Sequence, residues 1–72
     1  MTELRGLGDN KTIVLHTNDN QVYRELLALV KPLKIIPYEQ EQEGRTTMVG
    51  VDLYFPREYR KWLERYIRTG SP

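Results

Sequence analysis

The strongest pattern in the chain runs from Met48 to Arg68, MVGVDLYFPREYRKWLERYIR. Val49, Val51, Leu53 and Phe55 fall on alternate positions, and a period of two places all four on one face of a strand. Pro56 closes that strand and suits the first turn of a helix, where its missing N–H is no loss. Beyond it Tyr59, Trp62, Leu63, Tyr66 and Ile67 recur at helical spacing and form a continuous apolar stripe. Strand face and helix stripe are expected to pack on each other.

The remaining patterns are shorter. KTIVLH, residues 11–16, has an apolar β-branched centre and reads as a first, interior strand. Asn18 reads as a helix cap, with Gln21 three residues on where a capping box wants Glu or Gln. Val22, Tyr23, Leu26, Leu27, Leu29 and Val30 then cover one side of a helix, and Pro32 stops it near Val30. LKIIPYEQEQ, residues 33–42, favours a strand, and Pro37 confines it to a sheet edge or a bulge. Glu43-Gly44 predicts a two-residue turn. That turn sets Ile36 across from Val51 and Tyr38 across from Val49, with all four directed at the core.

Residues 1–10 carry Gly6 and Gly8 among polar neighbours and read as a flexible lead-in, residues 11–69 as the folded domain, and residues 70–72 as a frayed tail. The order strand, helix, strand, strand, helix predicts a single small α+β domain. Its expected form is a three-stranded antiparallel sheet with both helices on one face. In element order this resembles a ferredoxin-like fold lacking its last strand, with the first strand beside the third and the second at an edge. Ile35, Met48 and Tyr54, together with Pro37, are then expected on the uncovered face. Such a face suits a homodimer or another protein partner.

Size strengthens that expectation. A 72-residue domain buries only about 60–65% of its unfolded surface, and with no cysteine it has neither disulfides nor thiolate metal sites to add stability. Oligomerisation is the common remaining route. A net charge of +1 gives no strong overall field. No apolar run approaches the ~20 residues of a membrane span, and MTELRGLGDN lacks the apolar centre of a signal peptide, so a cytoplasmic protein with no membrane partner is expected.

Charge is unevenly spread. Arg57, Arg60, Lys61, Arg65 and Arg68 stand against only Glu58 and Glu64 on the last helix, a pattern suited either to a solvated face or, as the lesser expectation, to phosphate tracking on nucleic acid. Glu39, Glu41 and Glu43 alternate and read as edge protection. His16, Asn18 and Asp19 share a strand-to-helix loop of the kind that holds ligands, and Asp19 or Asp52 is positioned to orient the imidazole. No serine lies outside the tail, where Ser71 sits, and no nucleophile, base and orienter can be assembled. With no phosphate loop, zinc spacing or nucleotide fingerprint, no cofactor or metal is expected. The reading is a non-catalytic interaction domain that acts as a homodimer through its open sheet face or edge, with nucleic-acid binding on the basic helix, or a small-ligand or enzyme site centred on His16, as alternatives.

Overall fold

The computed structural model describes residues 1–70. Four strands, β1 (Thr2–Gly6), β2 (Thr12–Thr17), β3 (Lys34–Gln42) and β4 (Arg45–Pro56), form one antiparallel sheet in the order β1-β2-β4-β3. Helix α1 (Asn20–Leu29) joins β2 to β3, and a 3₁₀ turn at Arg57–Tyr59 leads from β4 into α2 (Arg60–Thr69). From β2 onward this is the expected order, with β2 beside β4 in the middle and β3 at an edge.

The helix side of the sheet holds the core. Register pairs Ile13 with Phe55, Leu15 with Leu53 and Thr17 with Val51, and these six are buried together. Leu26 from α1 and Leu63 and Tyr66 from α2 join the same cluster, with Val22, Tyr23, Tyr59 and Trp62 packed around it, so both helices cover one face. Burying a Leu or Phe side chain contributes about 1.5–3 kcal/mol, so these residues dominate the stability of a domain this small.

Local chemistry sets the helix ends. The cap of α1 is Asp19, one residue beyond the expected Asn18, because its Oδ1 reaches two otherwise unpaired amides, Gln21 at 2.9 Å and Val22 at 3.4 Å. The helix ends at Leu29, ahead of Pro32 as expected. In α2 the apolar stripe is buried at Leu63 and Tyr66, while Ile67 remains exposed.

The sheet has four strands where three were expected. Residues 2–6, assigned from their glycines and polar residues to a lead-in, pair along their length with β2, from Thr2–Thr17 to Gly6–Ile13. Leu4 packs on the core, and Asp9 pins the connecting loop: its carboxylate accepts from the Lys11 and Thr12 amides and the Thr12 hydroxyl. Those bonds, the Lys11 amide foremost, hold the Asp9 carboxyl below its ordinary pKa. Of the expected tail, Gly70 caps α2 with its N–H on the Tyr66 carbonyl, and residues 71–72 lie outside the described residues.

A second difference reverses one strand. The Glu43-Gly44 turn is as expected, both residues having positive φ (50° and 77°), the signature of a primed hairpin turn. Between Tyr38 and Glu39, however, the register shifts: Glu39 faces Met48 while Tyr38 faces Gly50, leaving Val49 unmatched in a β-bulge. Ile36 therefore lies across from Asp52 and not Val51, and Ile35 across from Leu53. A one-residue shift exchanges the faces of every β3 side chain. Val49, expected in the core, is 48% exposed.

Candidate functional site

The site is built on the sheet face without helices. Alternation and register place Glu3 and Arg5 of β1, Val14 and His16 of β2, Gly50, Asp52 and Tyr54 of β4, and Lys34, Ile36 and Tyr38 of β3 on this side. Its centre is Asp52, 1% exposed. Three side chains from three strands converge on that carboxylate: His16 Nδ1 meets Oδ1 at 2.7 Å, and Oδ2 accepts from the Tyr38 hydroxyl at 2.7 Å and from Arg5 Nη2 at 3.4 Å.

This arrangement answers the cost of burying a carboxylate, which demands hydrogen-bonded and charged partners. Burial pushes the Asp52 carboxyl up, but the bonds from Tyr38 and His16, with the charges of His16 and Arg5, outweigh it and hold the group below its ordinary value. Conversely, the bond to Asp52 and then burial push the Tyr38 hydroxyl above its ordinary value. Because the ionised carboxylate only accepts, His16 Nδ1 carries the proton, which leaves Nε2 as the nitrogen not bonded to Asp52. It stands beside Gly50, where an added Cβ would lie 3.2 Å from His16 Cε1 and 3.6 Å from Nε2.

Aromatic and cationic groups surround this centre. The His16 and Tyr38 rings lie 5.9 Å apart with a tilt of 56°. Tyr54 lies across from Val14 and Lys34, and Lys34 Nζ sits 5.9 Å from the Tyr54 ring centroid. Farther along the hairpin, past the bulge, alternation carries Gln40, Gln42, Arg45 and Thr47 on the same side, while Glu39 and Glu41 turn to the other.

The three groups of residues singled out in the sequence fare differently. Of Ile35, Met48 and Tyr54, only Tyr54 is on the uncovered face. Ile35 lines a groove with Leu27, Leu29, Val30 and Pro32 on the helix side, and Met48 lines a cleft of about 300 Å³ with Asn18, Asp19 and Tyr23 at the start of α1. The bulge causes both changes, since it turns Ile35 to the helices and sets Met48 one residue before the unmatched Val49.

His16, Asn18 and Asp19 do not form one loop site. His16 belongs to the open face, whereas Asn18 and Asp19 line the cleft at the helix start. Of the two candidate orienters of His16, Asp52 is the one in contact.

The basic residues of the last helix are exposed as expected, and two are already engaged. Arg60 Nε donates to Glu64 at 2.9 Å, and Arg57 Nη1 donates to the Asn10 carbonyl at 3.3 Å; Lys61, Arg65 and Arg68 stand in solvent. Arg5, Lys34, Tyr38 and Arg45 also belong to the open sheet face, and no pattern in the sequence marks them. The strand membership of Arg5 and the bulge that turns Tyr38 and Lys34 outward leave no periodic mark in the chain.

Among the described residues no cluster of His, Asp and Glu is arranged to hold a metal ion, and no helix is long and apolar enough to cross a membrane. No protein-family model matches the chain, and neither does any curated protein or any solved structure.

Proposed function

We propose that the chain is a non-catalytic interaction domain that works as a homodimer joined through the edge of β3. The observation that carries this reading is the company β3 keeps. Among the described residues it is an edge strand, with one side of its backbone unpaired, and exposed apolar residues lie beside it: Leu27, Leu29, Leu33 and Ile35. An unpaired edge flanked by apolar side chains is a template for another strand. A second copy meets that need by two-fold symmetry, with the same edge and the same groove on both sides.

The edge suits the dimer contact better than the sheet face does. Stacking two open faces would bury a second layer of Arg5, Lys34, Glu3 and the Asp52 cluster away from water, and charged groups resist that unless each finds a partner. Pairing edges leaves those groups solvated. Glu39 and Glu41 protect the outer half of the strand and Pro37 removes one donor, so the contact is drawn to the end of β3 that carries Ile35 and the apolar groove.

Sedimentation equilibrium at micromolar concentration tests the reading. The expected species has twice the 8.6 kDa chain mass. The double variant Leu29→Asp/Ile35→Asp is expected to sediment as a folded monomer. A wild-type species that stays at 8.6 kDa overturns the proposal.

A further inference from the structure

We infer that the open face of the sheet is a binding site for single-stranded nucleic acid, with bases stacked on Tyr54, Tyr38 and His16 and phosphates held by Arg5, Lys34 and Arg45. This goes beyond the dimer reading and does not depend on it, because it uses the face and not the β3 edge.

Three observations carry it. The first is the grouping of π-faces. Tyr54, His16 and Tyr38 come from β4, β2 and β3, yet the register brings them to neighbouring rows of one face. The second is that the rings are held in advance. Tyr38 is 43% exposed but tied by its hydroxyl to Asp52, and His16 is tied to the same carboxylate through Nδ1. Rings fixed before binding give up little freedom when a base settles on them.

The third is the sorting of charge. Although the chain is nearly neutral, this face displays Arg5, Lys34 and Arg45 against Glu3 among exposed acids, with the charge of Arg5 shared with the buried Asp52 carboxylate. Glu39 and Glu41, which lie between Lys34 and Arg45 in the sequence, alternate to the opposite side of the hairpin. Gln40, Gln42 and Thr47 continue the face along the hairpin and offer donors and acceptors to base edges. A sheet of aromatic platforms rimmed by cations fits an unpaired strand, whose bases are free to splay and stack, and does not fit a duplex, whose bases are hidden.

The test is fluorescence anisotropy at low ionic strength. The probes are labelled oligo-uridine and oligo-thymidine strands of about eight nucleotides, with a duplex of the same length as comparison. Single strands are expected to bind more tightly than duplex. With three phosphates neutralised, the plot of log affinity against log salt is expected to slope at about −2. Tyr54→Leu, which keeps bulk and removes the ring, is expected to weaken binding roughly 5- to 100-fold, and Arg45→Glu on the exposed hairpin to weaken it and flatten the slope. Arg65→Glu on α2 is expected to leave it unchanged, with circular dichroism confirming that each variant is folded. Absence of binding, equal binding of duplex, or loss with Arg65→Glu in place of Tyr54→Leu and Arg45→Glu overturns the inference. The mass of the same samples reports dimerisation separately, so failure of one proposal is distinguishable from failure of the other.

Discussion

His16 and Asp52 face each other directly across the central strand pair, and Nδ1 of the imidazole meets Oδ1 of the carboxylate at 2.7 Å on the side of the sheet that no helix covers. The aspartate, not the histidine, is the buried member. Its three donors come from β1, β2 and β3, so one side chain on β4 ties all four strands together on their outer face.

Replacing that carboxylate by an amide tests the tie. Hydrogen bonds to a charged group contribute about 1.5–3 kcal/mol, and Asp52→Asn is expected to lose an amount in that range at neutral pH. The carboxyl pKa is depressed in the folded state, so the stabilisation is present above the ordinary carboxylate pKa and disappears as pH falls through the lowered folded value. The deficit of the variant should therefore shrink towards zero in strong acid. Urea unfolding at neutral and strongly acidic pH reads this directly; a deficit of the same size at both would disprove the role given to the charge.

Gly50 sets the space available to the histidine. An alanine Cβ there would lie 3.2 Å from His16 Cε1, close enough that the ring must shift by a few tenths of an ångström. Gly50→Ala is expected to lengthen the contact with Asp52 while leaving the fold intact. The Nδ1 proton of His16, followed by nuclear magnetic resonance, should move towards the position of a weaker hydrogen bond. No movement would mean that the ring has room to spare.

The hairpin turn offers a stabilising change. Residues 39–48 pair only within the hairpin, beyond the reach of β2, and a two-stranded ribbon is marginal alone. Glu43 holds a left-handed φ of 50°, a conformation that costs an ordinary residue on the order of 1 kcal/mol and that asparagine tolerates well. Glu43→Asn, giving the preferred sequence before Gly44, is expected to slow amide exchange within residues 39–48 by several-fold. Unchanged exchange there would show that the turn does not limit the stability of the hairpin.

Much of the core is legible in the chain. Val51, Leu53 and Phe55 alternate, Leu63 and Tyr66 recur at helical spacing, and burial follows both patterns. The parts that escape the eye have physical reasons. β1 has a single apolar residue, Leu4, because as a short edge strand it buries little, and its glycine end looks like a loop. The bulge at Val49 escapes because an extra residue breaks alternation without altering composition. His16 and Asp52 are visible as a possible pair, but Tyr38 joins them only once β3 is turned over, so the site could not be assembled from spacing alone.

The unmatched Val49 also divides the hairpin into two provinces with different tolerance of change. On the turn side, adding or removing paired residues would only lengthen or trim an overhang. On the body side, a single inserted or deleted residue would trade Tyr38 and Lys34 for Pro37 and Ile35, turning a wet, cationic plane into a greasy one and stranding Asp52. Length variants are thus expected to survive near Gly44 and to perish between Gly50 and Asp52.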